Sequence, residues 1–382
     1  MLGEVSLIDE FTSADHGAAL TVSLCNAHQR TSPTGNGADG MNHTETEIFS
    51  QPDVWQQTID ELSVVAAAEF WNAAQPESIL TTGCGSTYYL ALTLAALIRD
   101  ELGIPGRAVA ASEVALGSRP IPQAEHSLMV AISRSGTTSE TLAAVDRFRE
   151  LGGRGVITVT NDLDSTLAEA ADIVVAAPAG REESVAQTRS FSSMLLTAQA
   201  LVGALAGYDL SQLSVLPDLA SALLADATEP VRTLAHDVGI DRFFFLGSDP
   251  LFGVASEGML KLKEMSLTNS EAFHTLEFRH GPMSMADRSA AIVALISADR
   301  VAAEMAVVAD AGKYDAATLT IGAAADLVVD AEIPSWMRPV LHLIPLQILA
   351  LERAKAKGLN PDLPRNLVAV VELDRLGEVA HQ

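Results

Sequence analysis

Short runs of apolar residues alternate with longer stretches of helical periodicity along most of the chain. In the first half such runs predict five β-strands, within residues 78–86, 107–112, 126–133, 155–161 and 171–178. Nearly all of them are apolar at every position, which is typical of strands in a parallel sheet covered by helices on both faces. The pattern therefore predicts a doubly wound α/β fold, flavodoxin-like with three αβα layers.

The second half repeats this plan at an offset of about 160 residues, far longer than the repeat of a solenoid protein. Residues 242–249 match the first apolar run, and residues 290–299 and 317–333 match the later ones. A long apolar helix, ending in lysines and Gly358, closes the copy. We therefore expect two tandem parallel-sheet domains, over 41–220 and 221–382.

Composition narrows the class of protein. Residues 27–40 are polar and rich in helix breakers, so we expect 1–40 to be a disordered extension. The net charge of −25 makes nucleic acid an improbable partner. No apolar run approaches the length of a membrane span, and no secretory signal is evident. Two widely separated cysteines, Cys25 and Cys84, favour a reducing compartment, so we expect a cytoplasmic protein.

A hydroxyl-rich turn follows the third predicted strand. The hydroxyls of Ser133, Ser135 and Thr138 surround Gly136 where a strand leads into a helix. A helix N-terminus at the carboxyl end of a parallel strand offers free N–H donors and partial positive charge, which suits phosphate. Alternatively, these hydroxyls only cap the helix. The matching turn of the second half reads SADR, without this cluster.

The turn after the first strand is the second candidate, with Cys84, Ser86 and Thr87 beside two glycines. By itself it is an ordinary Gly-rich corner, but next to the first turn it could add hydroxyls to the same crevice. Cys84 is expected to be a small packed residue rather than a nucleophile. The sequence offers no spacing typical of a metal site and no complete dinucleotide motif, so we expect neither metal nor cofactor.

Two further features could carry acid–base chemistry. Glu257, Lys261 and Glu264 lie on one face of an otherwise apolar helix over 254–266. Such a stripe is often a solvated ion-paired face, but a Glu with a Lys neighbour in an apolar crevice is also a reasonable general base. His280 stands before a Gly-Pro turn, and a lone His is more often structural than catalytic.

These segments, taken in order, resemble the double sugar-isomerase (SIS) domain family. The motifs are GCGST, SRSGTTSETL, SVAQTRSF, EGMLKLKEMS, EAFHTLEFRHGP and PRNLVAVVEL. The chain is similar to the isomerase half of glucosamine-6-phosphate synthase, and in layout to stand-alone phosphosugar isomerases, deaminases and deglycases.

The resemblance implies roles for the candidate residues. The substrate phosphate would be held by Ser133, Ser135 and Thr138, with Arg134 beside them. Ser86 and Thr87 would bind the substrate through their hydroxyls.

It also implies the catalytic residues. Glu264, next to Lys261, would move a proton between C1 and C2 of the sugar, and His280 would assist ring opening. In the family this His reaches the site from the neighbouring subunit, so a homodimer is implied.

Three departures from the family pattern bear on the function. No glutaminase domain precedes the isomerase region in this sequence, and Val368 and its neighbours stand where the synthase has a ring-opening lysine. Arg134 replaces a Gln and Gln187 replaces a Ser. Because Arg can clamp an anion with two hydrogen bonds, the anion could be a sulfonate instead of a phosphate.

Three functions remain open at this point. The first is aldose–ketose isomerisation of a sugar or amino-sugar 6-phosphate, and the second is deamination or deglycation at the same site. The third is a sugar-phosphate sensor without activity. Glu264 and His280 cannot separate the first two, but their presence together favours an enzyme over a sensor.

Overall fold

Two parallel β-sheets of five strands organise the described part of the chain, residues 43–117, 123–329 and 332–368 of a computed structural model. The expectation for residues 1–40 lies outside these ranges. The strands are β1 Ser78–Gly83, β2 Gly106–Ala110, β3 Ser127–Ser133, β4 Gly155–Thr160, β5 Ile173–Ala176, β6 Arg242–Gly247, β7 Asn269–His274, β8 Ala290–Ile296, β9 Ala317–Gly322 and β10 Leu327–Val328.

Within the described part of the chain, three helices precede β1, one follows β10, and most of the others lie between successive strands. They are α1 His43–Phe49, α2 Gln51–Asp60, α3 Val65–Ala74, α4 Ser86–Leu102, α5 Ala111–Leu116, α6 Ser139–Glu150, α7 Thr166–Ala170, α8 Arg189–Leu205, α9 Leu216–Ala235, α10 Pro250–Ser266, α11 Val301–Gly312 and α12 Pro339–Ala356. None of the helices in the described ranges is both long and apolar enough to cross a membrane.

The two sheets have the same topology, as the repeated sequence pattern predicts. The first has the order β2-β1-β3-β4-β5 and the second β7-β6-β8-β9-β10, with every paired strand parallel. In each sheet the chain therefore turns back between its first and third strands. That turning point is where ligands bind in open parallel sheets.

Alternate residues of the strands face two different cores, because side chains alternate across a sheet. In the first sheet Leu80 and Met129 pack with α5 and α6, whereas Ile79 and Val130 face a central core. The inner face of the second sheet joins this same central core, together with residues of α4, α8, α9, α10 and α12. The two halves thus share one interior.

Most predicted strands are confirmed, and the differences have physical reasons. β7 was not predicted because its sequence, NSEAFH, is half exposed and has no apolar run. The expected boundary between residues 220 and 221 falls inside α9. Whether the halves fold as separate domains stays a prediction.

Helices α4 and α10 approach closely in the central core, and Gly253 is the residue that permits this. A Cβ at this position would collide with the Thr93 hydroxyl and the Tyr89 carbonyl of α4. Thr93 also donates a hydrogen bond across the contact to the carbonyl of Pro250, at 3.0 Å. The first half of α4 and the start of α10 are thereby fixed against each other.

We expect Gly253→Ala to lower the free energy of unfolding by about 1–3 kcal/mol, because the methyl group forces backbone atoms of α4 and α10 apart. Gly312→Ala in α11 is the matched control, since its Cβ meets open space. Urea unfolding of both variants measures the difference. Equal stability of the two variants would contradict the close approach.

Candidate functional site

The turns that the sequence singles out lie side by side at the carboxyl end of the first sheet, after the adjacent strands β1 and β3. A contact joins them, since the Sγ of Cys84 lies 3.7 Å from the Thr141 hydroxyl near the start of α6. Burial raises the pKa of the Cys84 thiol. A raised pKa disfavours the thiolate, which is the nucleophilic form of cysteine.

Ser86 and Thr87 use their hydroxyls in different ways. The Thr87 hydroxyl accepts a hydrogen bond from the N–H of Cys84 and donates one to its carbonyl, both at 2.9 Å, so it holds the turn in shape. The hydroxyl of Ser86 accepts a hydrogen bond from the ammonium of Lys261, at 3.0 Å. Both side chains are buried. Their direct contact with a ligand stays a prediction.

The loop at 133–138 has a preformed shape. The Ser133 hydroxyl accepts a hydrogen bond from the N–H of Gly136 at 3.0 Å and lies 3.4 Å from the Thr138 hydroxyl. Gly136 has a φ of +64° and contacts Ser165, which leaves no room for a Cβ. The hydroxyl of Ser135 accepts from Thr137.

The alternative that this loop only caps α6 receives no support from the residue at the cap position. Thr138 is the residue before the first turn of α6, and its side chain makes no capping hydrogen bond. Its hydroxyl therefore remains near the helix N-terminus, where an anion would be stabilised.

Arg134 is anchored within the chain. Its Nη1 donates to a carboxylate oxygen of Glu182 and to the carbonyls of Ser184 and Val185, each at 3.2 Å. The Glu182 side chain is fully buried and also accepts hydrogen bonds from Thr188. An anion clamp at Arg134 would have to share the guanidinium with these acceptors, and that role stays a prediction.

The charged stripe of α10 is buried, not solvated. Lys261 is fully buried, and its ammonium lies in close contact with a carboxylate oxygen of Glu264. The same ammonium lies 3.3 Å from Glu257, which is also buried and makes no hydrogen bond of good geometry there. The Glu264 side chain keeps 18% exposure. It is thus the carboxylate of this stripe that a substrate can reach.

Burial and charge decide the protonation of this cluster. Burial raises the pKa of Glu257 to about 8, although Lys261 opposes the shift. Burial by itself would lower the pKa of Lys261, but the two glutamates outweigh it and the pKa is raised. We infer that at neutral pH one ion pair, between Lys261 and Glu264, stands beside a protonated Glu257.

His280 lies apart from this hydrogen-bonded group within one chain. It follows a short 3-10 turn, Leu276–Arg279, and is exposed. In the described ranges its side chain has no hydrogen bond or ion pair, and only its main-chain N–H bonds, to Glu277. The structure thus groups Ser86, Lys261 and Glu264 but not His280.

Sequence reasoning missed two residues of this region. Tyr89 lies on α4, near the charged residues of α10. Burial, together with the charge of Glu257, raises the pKa of Tyr89. Its place in an apolar helix (STYYLAL) gave no sign of this. Glu182 was also missed, because an acidic residue in a polar loop is usually exposed. Among described residues, no three His, Cys, Asp or Glu side chains group as a metal site.

Comparison with known proteins gives the following relations. Residues 73–204 match the SIS domain family. The chain is 32% identical over 347 residues to a glutamine–fructose-6-phosphate aminotransferase (isomerizing) of Pyrobaculum aerophilum. The match covers 86% of this chain and 57% of that protein, so the chain spans less than two thirds of this relative.

Solved structures agree with this relation. A glucosamine-6-phosphate deaminase from Thermotoga maritima is 30% identical, with a TM-score of 0.79, 87% of this chain covered and 100% of that one. The C-terminal domain of the glucosamine-fructose-6-phosphate aminotransferase from Francisella tularensis is 25% identical, with a TM-score of 0.74 and coverages of 85% and 99%. The chain belongs to the SIS domain family.

Proposed function

We propose that the chain is a phosphosugar aldose–ketose isomerase that moves a proton between C1 and C2 of a sugar or amino-sugar 6-phosphate. One observation carries the proposal. The buried ammonium of Lys261 binds both the partly exposed carboxylate of Glu264 and the hydroxyl of Ser86, in the turn after β1. This contact links a candidate base to the turn after β1, and the loop at 133–138 follows the adjacent strand β3.

In this proposal Glu264 is the base. Its carboxylate removes the proton from C2 of the aldose, or C1 of the ketose, and returns it to the neighbouring carbon after an enediol forms. A hydroxyl proton moves between O2 and O1 in the same direction as the carbon-bound proton, so the isomerisation is balanced. The Lys261 ammonium pairs with this carboxylate and holds it in position.

The loop at 133–138 would bind the phosphate. Its hydroxyls converge at the start of α6, where the helix dipole and the first N–H groups favour an anion. Anchoring the phosphate at this end would leave C1 and C2 to reach Glu264. The net charge of −25 gives the site no general attraction for anions, so this local arrangement must supply it.

We extend the proposal to a homodimer in which His280 of one subunit completes the site of the other. The exposure of His280, and the absence of side-chain partners for it among the described residues, support this arrangement. The sparse cysteines, with Cys84 a free thiol, support a cytoplasmic location.

Deamination of an amino-sugar 6-phosphate is the second candidate. The full-length similarity to the Thermotoga maritima protein favours it. Both reactions begin with proton removal by Glu264, so only the product separates them. Release of ammonia identifies the deaminase, whereas interconversion of aldose and ketose identifies the isomerase.

We expect Glu264→Gln to lower the rate by about 10²–10⁴-fold, since a general base contributes roughly this much. The assay follows hexose and hexosamine 6-phosphates in D₂O by NMR, which detects deuterium entering C1 or C2. Glu271→Gln, the same exchange at an exposed position of β7, is the control and should leave the rate unchanged. Exchange at the wild-type rate in Glu264→Gln would exclude Glu264 as the base.

Glu257 makes stability depend on pH. Because its pKa is raised from 4.5 to about 8 on folding, the folded state binds a proton that the unfolded state releases. Its contribution is therefore fully present below about pH 4.5 and is lost as the pH rises through about 8.

We expect the free energy of unfolding of the wild type to fall, relative to Glu257→Gln, between these two pH values. Urea unfolding across this range measures the difference, and Glu271→Gln again serves as the control. Parallel curves for the wild type and Glu257→Gln would mean that Glu257 is ionised in the folded protein.

A further inference from the structure

A cavity of about 720 Å³, here called the second cavity because it lies at the second sheet, is found at the carboxyl end of that sheet. Its walls come from the turns after β6 and β8, from the C-terminal part of α4 and from the start of α12. This is the turning point between β6 and β8, the counterpart of the place between β1 and β3 in the first sheet. Its volume is typical of a small-molecule site.

The second cavity is not built for phosphate. In the turn after β8, the N–H and the hydroxyl of Ser297 donate to the buried carboxylate of Glu304, at 2.7 and 3.1 Å. The chain's own carboxylate thus occupies the donors that an anion would use. Four acidic and two arginine side chains line the cavity: Asp100, Glu101, Asp249, Asp299, Arg300 and Arg338. This excess of carboxylates disfavours an anionic ligand.

His342 supplies an unused hydrogen-bond acceptor in the wall. It is 1% exposed, and its Nδ1 lies 3.0 Å from the carbonyl of Arg338, which places the ring proton there. Its Nε2 receives no hydrogen bond of good geometry from the described residues. Burial lowers the pKa of His342 to about 4, against the opposing effect of the Arg338 and Ile296 carbonyls, so the ring is neutral. Because the neutral ring carries its proton on Nδ1, Nε2 is free to accept a hydrogen bond from a ligand.

Asp249 lines the cavity, and its backbone is strained. Its φ of +49° and ψ of −122° nearly repeat those of Gly85, +57° and −124°, at the same place in the first half. Such a conformation is unfavourable for a residue with a side chain. The carboxylate is held there by Arg99, whose Nη2 donates at 2.9 Å, and by Arg300. The second half thus has an Asp at a position where a glycine would adopt the same backbone conformation with less strain.

We propose that this cavity is a second ligand site, which binds a non-phosphorylated small molecule rich in hydrogen-bond donors, such as a free sugar or amino sugar. A hydroxyl or ammonium group of the ligand donates to Nε2 of His342, and others donate to Asp249 and its neighbouring carboxylates. The site is distinct from the proposed isomerase centre and does not depend on it.

The test is a titration of the full chain with glucosamine, N-acetylglucosamine or sorbitol, with glucosamine 6-phosphate and inorganic phosphate as comparisons. The ¹⁵N resonance of the His342 Nε2, assigned from its loss in His342→Leu, reports on the cavity in the wild type. We expect at least one non-phosphorylated compound to shift it. If none does, or if only the phosphorylated ones do, the proposal is wrong.

Two variants and a control complete the test by calorimetry. His342→Leu removes the acceptor, and Ala298→Phe fills the cavity from a partly exposed position in its lining. Each should weaken binding of the active compound at least tenfold, whereas Glu264→Gln should leave it unchanged. Unchanged affinity in Ala298→Phe, or loss of affinity in Glu264→Gln, would place the ligand elsewhere and overturn the proposal.

Discussion

The structure depends on one buried charge. The ammonium of Lys261 is removed from water, which is costly unless hydrogen bonds and an opposite charge replace the solvent. Glu264 supplies the charge, and Ser86, from the other half of the chain, supplies a hydrogen bond. This interaction needs α10 to lie close against α4, as Gly253 allows. The close packing of α4 against α10 is therefore needed both for the shared core and for the geometry of the candidate site.

The two copies of the fold carry different polar groups at the carboxyl ends of their sheets. The first keeps hydroxyls and a glycine at its third-strand turn, and the second fills the equivalent donors with the Glu304 carboxylate. Gly85 turns easily in the first copy, whereas Asp249 holds the same conformation under strain in the second. The carboxylates and His342 of the second copy suit hydrogen-bond donors. Duplication has therefore provided two crevices of different chemistry on one core.

Much of the fold could be predicted from the sequence. Buried parallel strands are continuous apolar runs, and the same pattern occurs in both halves of the chain. β7 could not be predicted, because an edge strand with polar residues has no such signal. Helical spacing predicted the charged stripe of α10, but not the hydrogen bond from Lys261 to Ser86, which joins residues 175 positions apart. The importance of Glu182 and Tyr89 could not be predicted from the sequence either, because tertiary contacts form their surroundings.

Covalent labelling of the base tests directly whether Glu264 removes the proton. A 1,2-anhydrohexitol 6-phosphate carries an epoxide where the enediol would form, so a carboxylate placed to remove the C1 or C2 proton should open it and become an ester. Mass spectrometry of the digested protein then identifies the modified residue. If Glu264 is the base, a single adduct forms on Glu264 and fructose 6-phosphate suppresses it. An adduct on another carboxylate, or none while the enzyme turns over substrate, would contradict this role of Glu264.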